Sequence, residues 1–600
     1  MKKLISGLFA TALLSLLIVA CTEDNDATPK GTFARFNATQ DFLTVTFANE
    51  SSADVTSFSW DFGNGESSTQ ENPSVTYNDF GSYDVTLTVQ GSVEATATIT
   101  INVAAPDEDG SSFREIGSIA IGGEGAAEIS AYDAANQQLF VQDNENNSRI
   151  VMVDMSTPSS MTVLGSIDAS ALGGGINSVA VYGTWLAAGV EADDKQANGT
   201  VELWTINGRG DVTKGQSITA GALPDMVTFT PDGNYILVAN EGEPSDDYTV
   251  DPEGSVSIIS TSGFSVRTVT FSGANPTGEA FRNSGTPSGD NTPKNIEPEY
   301  ITVSADSKTA FVALQENNGL AVIDVDNATL TSLVGLGKKD YSAVQIDPSD
   351  EDGKIELRDV PAGIFGIYMP DAIAAFNVGG ADYVISANEG DGREYFYDAD
   401  EATCTANGGL DYDEDDGCLS FTDEDRLDDV ILDPTVFPNA ADLQLEENFG
   451  RLKLMITDGD TDGDGDFDEV WSFGARSFSI WDATGALVWD SGDELDRQLI
   501  AAGLYDDGRS DDKAIEPEGV VVGVVGGQTL AFVGLERVDA VAVYDVSVPA
   551  APLFLSVLEA GDAPEGLVFV EAKDSPTRKS LVIVSSEDDG TVKVYEPANY

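Results

Sequence analysis

Histidine is absent from all 600 residues of this chain. That removes every Ser-His or Cys-His mechanism and every zinc site that needs imidazole. Cysteine is scarce, with three residues at positions 21, 404 and 418. Positive charge is scarce too: 30 Lys and Arg stand against 103 Asp and Glu, a formal charge of −73. Such a surface repels nucleic acid and anionic lipid headgroups, so neither is an expected partner, and it suits divalent cations. Any chemistry must therefore come from carboxylates, a few Arg and Lys, Tyr or a bound metal. The charge does not signal disorder. The chain is 41% hydrophobic and rich in Val, Ile, Thr and Gly, enough to bury a core.

The N-terminus has its own logic. Lys2 and Lys3 precede an apolar run too short and too near the end to be an ordinary spanning helix. The run stops at Leu17-Ile18-Val19-Ala20-Cys21, a small residue followed by Cys. This is similar to the bacterial lipobox, which implies a signal peptide over 1–20, cleavage before Cys21 and lipid on that Cys. The residue after Cys21 is not Asp, and Thr22 to Asp26 is acidic. Both features resemble sorting signals of lipoproteins sent to the outer membrane and exposed on the cell surface. Residues 21–31 then form a lipidated tether, and the lipid is the expected contact with membrane.

Short alternating runs fill residues 32–104. Gly81 to Val89 alternates as a half-buried strand, and Gly63-Asn64-Gly65 marks a tight turn. Residues 105–111 are read as a linker. From 112 to 600 a repeat sets the fold. Each unit opens with a strand start such as Glu128, Asn177, Asp225, Glu299, Asp371, Glu518 or Glu565, and closes its second strand with a Glu: Glu145, Glu191, Glu241, Glu316, Glu389, Glu536 and Glu587. Seven such all-β units predict a seven-bladed β-propeller with an insertion at about 390–475. The fold class expected is all-β, an immunoglobulin-like sandwich followed by the propeller. First and second strands of a blade are antiparallel, so both sets of acids belong at one edge near the axis. A double acidic ring there needs raised pKa values, cations or backbone N–H partners.

Inside the insertion, residues 458–469 read DGDTDGDGDFDE. Asp458, Asp460 and Asp462 occupy positions 1, 3 and 5 of a twelve-position calcium loop, Gly463 position 6, Asp464 position 7, Asp466 position 9 and Glu469 position 12. The expected cofactor is Ca²⁺, held by oxygen ligands that suit a hard cation. A looser cluster at Asp347, Asp350, Glu351 and Asp352 reads as a solvated turn. Cys404 and Cys418 are expected to pair as a disulfide in an exported protein. Weaker candidates for catalysis gather where cations sit among acids: Glu241, Glu389, Arg393, Arg509, Asp511, Lys513, Glu518 and Glu536. These cations, with Arg537, either clamp an anion or neutralise the ring, and neutralisation is the favoured reading.

Two resemblances add to this. The motifs Trp60-Asp61-Phe62-Gly63-Asn64-Gly65, Asn72-Pro73, Tyr77 and Gly81 to Val89 resemble the PKD domain, which implies a sandwich acting as spacer or adhesion module. The motifs Val238-Ala239-Asn240-Glu241-Gly242-Glu243, Ser386-Ala387-Asn388-Glu389-Gly390-Asp391, Phe473 to Asp482 and Arg509 to Lys513 resemble the choice-of-anchor I family. Its animal relatives are called mesenchyme-specific cell surface glycoproteins, and the resemblance implies a surface propeller without an established reaction. The leading expectation is a non-catalytic, calcium-stabilised binding module for an extracellular protein, a glycan or a small anionic ligand. The alternative is a calcium-dependent phosphoesterase at the acidic face, in the manner of alkaline phosphatases or β-propeller phytases.

Overall fold

A computed structural model describes residues 31–598 apart from 146–147, 284, 290–291 and 415. The expected signal peptide, Cys21 and nearly all of the tether lie outside these residues. The chain divides into two compact units, between Asp107 and Glu108.

The first unit is a sandwich of two antiparallel sheets. One holds Phe36–Asp41, Thr44–Asn49 and Ser74–Thr76; the other holds Ser67–Ser68, Ser57–Asp61, Gly81–Gln90 and Glu94–Val103. Period-two alternation turns Val85, Leu87 and Val89 inward, where they meet Phe36, Phe47, Trp60 and Tyr77. The buried polar tips are satisfied: Trp60 Nε1 donates to Gln70 O at 2.8 Å and Tyr77 OH to Phe62 O at 3.0 Å. Gly63, at φ +77°, makes the tight turn, and a Cβ there would lie 2.8 Å from Asp84 O.

Among the described residues, the second unit holds seven sheets of four or five strands in succession. Their first strands are Ala126–Asp133, Ile176–Tyr182, Pro224–Phe229, Ile301–Val303, Ile373–Val378, Pro517–Val525 and Pro564–Val570. Each packs against the first strand of the next sheet, and the seventh packs against the first, so the ring closes. This is a β-propeller. The seventh sheet is completed by Phe113–Ala120, antiparallel to Thr591–Pro597, which ties the start of the unit to its end. The second strands Gln138–Asp143 and Leu581–Ser586 are buried along their whole length, and the other five are buried over their last five or six residues. Sheets cover both their faces, which is why they read as apolar runs such as Ile236 to Ala239 instead of alternating.

Two features depart from the sequence reading. Within the stretch read as linker, Glu108 is buried and accepts from Ser580 N at 2.7 Å and Ser580 Oγ at 2.8 Å, so the end of that stretch belongs to the propeller unit. The insertion after Asn388 also has a partner. Residues 338–367, between the fourth and fifth sheets, share a core with it: Tyr341, Ile346 and Ile364 pack with Leu427, Phe437 and Leu454. Ile364–Ile367 pairs in parallel with Val470–Ser472, so two segments far apart in sequence build one satellite lobe.

Candidate functional site: the acidic axial cavity

The first strands converge on a cavity of about 580 Å³. Its lining carries thirteen carboxylates and three cations. Six carboxylates come from the strand starts: Glu128, Asp225, Glu299, Asp371, Glu518 and Glu565. In the second sheet the equivalent residue is Asn177, which also lines the cavity. The backbone helps aim these acids. Leu223, Met369, Glu516 and Ala563 stand two residues before the acid in four sheets, with φ of 46°, 42°, 43° and 55°. Left-handed geometry at non-glycine positions is strained and persists only where the surroundings impose it.

The second-strand glutamates divide. Glu241, Glu316, Glu389 and Glu536 reach the cavity. Glu145 and Glu191 instead accept from the backbone N–H of Gly123 (3.0 Å) and Gly175 (2.8 Å), capping loops in their own blades. Glu587 is not among the cavity residues. The double ring is thus complete only on the side of the third to sixth blades.

Burial dominates the protonation of this ring. It raises Glu128 to about 8 and Asp225 to about 7, with neighbouring carboxylates adding to the shift. Burial and then adjacent acids push Glu241, Glu299, Asp371, Glu518 and Glu565 well above the ordinary range. Glu536 rises to about 7 for the same reasons. Glu389 goes the other way: burial works against its charge, but Lys513 beside it prevails and lowers its pKa.

The cations are all committed. Arg393 Nε donates to Glu297 Oε2 at 2.9 Å, and Lys513 Nζ to Glu389 Oε1 at 2.8 Å. Lys513 also contacts Asp391 (3.2 Å) and Glu516 (3.3 Å), while Arg537 pairs with Glu536 (2.9 Å) and Glu516 (3.4 Å). Glu516 is 0% exposed and forms the hub of this network, a role that sequence reasoning missed; its place in Glu516-Pro517-Glu518 was the available signal. Two sequence candidates leave the cavity. Arg509 turns to Glu516 (2.6 Å) and Asp512 (3.3 Å), and Asp511 is buried against Arg426 (2.5 Å) and Arg451 (3.1 Å) of the insertion. Local acids hold Arg509 and arginines of the insertion hold Asp511, so neither group is placed to act on a ligand in the cavity.

Residues 128–549 match the family model of the choice-of-anchor I domain. The chain belongs to the choice-of-anchor I family. Ahead of this propeller, residues 26–104 match the PKD domain. A mesenchyme-specific cell surface glycoprotein of Strongylocentrotus purpuratus is 25% identical over 332 residues, 50% of this chain and 40% of that protein. The chain thus aligns with well under two thirds of that relative's length. Among solved structures, the PKD1 domain of the Vibrio cholerae metalloprotease PrtV is 40% identical, covering 12% of this chain and 98% of that one at a TM-score of 0.12. The Cps50 (Swd1) β-propeller domain of Myceliophteria thermophila is 9% identical, covering 81% and 99% of the two chains at a TM-score of 0.38. So low a score leaves the architecture of this choice-of-anchor I propeller resting on its own ring of sheets.

The acidic loop of the insertion is arranged differently from the twelve-position reading. Asp460, Asp462 and Asp464 each bring a carboxylate oxygen within 4.8 Å of the other two. The Asp464 carboxylate raises the pKa of Asp462. Gly463 between them has φ +79°, as the sharp turn at position 6 requires. Asp466 instead joins Asp433 and Asp468. The two end residues are drawn away by cations from other segments: Arg282 Nε donates to Asp458 Oδ2 at 3.1 Å, and Lys338 binds Glu469, whose Oε2 also accepts from Trp471 Nε1 at 2.7 Å. The central three carboxylates fit a hard cation; the outer ligands of the expected set do not converge on them. The Asp347 cluster is likewise divided, with Asp350 paired to Arg451 and Asp352 to Arg358. Cys404 and Cys418 form a disulfide, their Cα atoms 5.3 Å apart. No helix among the described residues is long and apolar enough to cross a membrane.

Proposed function

We propose that this protein is a lipid-anchored, calcium-stabilised binding module on a bacterial outer membrane, with the axial cavity as its ligand site. The cavity's acids carry this reading: thirteen carboxyl groups line it, those that burial keeps protonated ionise when a positive group offsets them, and its three cations already hold carboxylates. Such a cavity concentrates positive groups and repels anions. The ligand it suits is a basic segment of an extracellular protein, in preference to a glycan or a small anion. The family and the printed name of the sea-urchin relative support display at a surface. The sandwich serves as spacer, and Cys21 supplies the anchor. Calcium at Asp460, Asp462 and Asp464 would order the insertion by offsetting its charge.

The phosphoesterase alternative needs Arg or Lys free to clamp phosphate. Arg393, Arg509, Lys513 and Arg537 are each held by carboxylates, which favours the binding module.

Titrating the full chain with an oligo-lysine peptide and assaying it against a simple phosphate ester, each with calcium and with chelator, tests the choice. The peptide should bind, more weakly as salt rises and more weakly after Glu518→Gln with Glu565→Gln, and the ester should stay intact. Calcium-dependent ester hydrolysis without peptide binding would overturn the proposal. For the anchor, Cys21→Ser should move the protein out of the membrane fraction; unchanged association would refute lipidation.

A further inference from the structure

We infer that Glu241, Glu299 and Glu316 form a divalent-cation site inside the axial cavity, separate from the acidic loop of the insertion. The inference rests on reading the cavity as cation-selective and deepens it. One carboxylate oxygen from each residue lies within 4.8 Å of the other two. Three strand ends bring them together. Glu241 follows Tyr235–Asn240 of the third blade, Glu299 precedes Ile301–Val303 of the fourth, and Glu316 follows Thr309–Leu314 of the fourth. All three line the cavity.

A cluster of acids alone would say little. The second observation is a buried polar atom with no partner inside it. Glu316 is 8% exposed, and its Oε2 accepts no hydrogen bond. Glu299 Oε2 likewise accepts none from another residue's donor, and the Glu299 and Glu316 carboxyls lie within hydrogen-bonding reach of each other. Buried carboxylate oxygens left without a donor are costly, and native proteins keep few of them without a reason. The neighbouring fifth and sixth blades solve the same crowding with Lys513 and Arg537, but among the described residues no Lys or Arg forms an ion pair with Glu241, Glu299 or Glu316. Arg282 and Arg393 come from nearby segments; Arg393 attracts Glu316 from beyond ion-pair distance, and neither guanidinium pairs with the three carboxyl groups. Arg282 Nη1 donates to the Glu316 backbone oxygen at 3.0 Å, and the guanidinium of Arg393 is taken by Glu297. The side chain of the next residue anchors this turn: Asn317 Nδ2 donates to Arg282 O at 2.8 Å, and Glu297 N donates to Asn317 Oδ1 at 3.2 Å. The three acids are therefore held close together on the cavity wall with no Lys or Arg in an ion pair with them among the described residues.

All donors are oxygens, which selects a hard cation over zinc or copper. Three carboxylates offer at most six oxygens, and calcium takes six to eight in flexible geometry, whereas magnesium demands a near-ideal octahedron. Calcium is the ion this set suits. Oxygens from water or from a ligand in the cavity would complete the shell.

Equilibrium dialysis of radioactive calcium against the full chain tests this, using wild type, Glu316→Gln, Glu299→Gln, the loop variant Asp460→Asn with Asp462→Asn, and the combination of Glu316→Gln with that loop variant. Glu316→Gln should remove one calcium per chain, or weaken one by at least about tenfold, the loss seen even for groups that only support a ligand. The same loss should occur in the loop-variant background, and Glu299→Gln should repeat it. Melting provides the control for folding. In chelator, Glu316→Gln should melt no lower than wild type, because Gln keeps the shape of the side chain and removes a buried acid; in calcium it should melt lower. Unchanged stoichiometry and affinity in both glutamine variants, or an equal fall in melting temperature with and without calcium, would overturn the site. The oligo-lysine titration separates the two proposals: if the peptide binds while these variants keep every calcium, this site falls and the cation-selective mouth stands, and if the peptide fails to bind while Glu316→Gln loses a calcium, the peptide reading falls and the site stands.

Discussion

Replacing Arg282 by Met should destabilise the propeller unit by about 3–5 kcal/mol, the usual cost of breaking a buried ion pair from one side. Arg282 is 4% exposed and joins three segments. Its Nη2 donates to Asp423 Oδ2 at 2.5 Å and to Thr457 Oγ1 at 3.2 Å, its Nε to Asp458 at 3.1 Å, and its Nη1 to Glu316 O at 3.0 Å. Met keeps much of the volume and removes every donor. Asp423, 1% exposed, would keep the backbone N–H of Arg393 at 3.0 Å but lose its countercharge. The buried anion, more than the missing bonds, sets the magnitude. Adding Asp423→Asn should therefore recover part of the loss, and the pair should show a coupling of about 1–3 kcal/mol. Urea unfolding of the full chain, followed through the propeller transition by tryptophan fluorescence, gives the four corners of the cycle. Arg282→Met within about 0.5 kcal/mol of wild type, or losses that simply add in the double variant, would refute the argument.

In chelator, stability should fall as pH rises from 5 to 8. The folded chain holds protons on Glu128 up to about 8 and on Asp225 and Glu536 up to about 7, while the unfolded chain releases them near 4 to 4.5, so the folded state binds more protons across that window. Melting curves at several pH values check this, and a melting temperature that climbs across the window would contradict it. Replacing both Cys404 and Cys418 with Ser opens a bridge across a separation of 14 residues, a change of about 3 kcal/mol by the chain-entropy model. Limited proteolysis should then cut within 397–422 faster; an unchanged rate, or free thiols in the non-reduced denatured wild type, would count against a role for the bridge. Calcium should raise the melting temperature of the propeller, and Asp460→Asn with Asp462→Asn should remove the loop's share of that gain. A full response in this variant would place calcium elsewhere.

Much of this fold was legible before any coordinates. Strand ends repeat an acid at corresponding places, from Glu128 to Glu565 and from Glu145 to Glu587, because each blade is a local meander whose edge is set by neighbours a few residues away. The sandwich was legible for the same reason, through the alternation from Gly81 to Val89 and the Gly63 turn. The satellite lobe was not. Tyr341 and Ile364 meet Leu427 and Leu454 only after the insertion folds back, and no periodicity marks a core shared by separate segments.

The candidate site divides along the same line. Local sequence determined that acids crowd one edge of the propeller, that residues 458–469 bear a dense set of oxygens and that imidazole chemistry is absent. Tertiary structure alone decided which charges meet. It sends Asp458 to Arg282 and Glu469 to Lys338, turns Glu145 and Glu191 into loop caps, gathers Lys513 and Arg537 on Glu516, and leaves Glu241, Glu299 and Glu316 together with no ion pair among the described residues. The physical reason is range. Strand and turn preferences act over a few residues, whereas ion pairing depends on distances between segments more than a hundred residues apart, which exist only once the ring of sheets has closed.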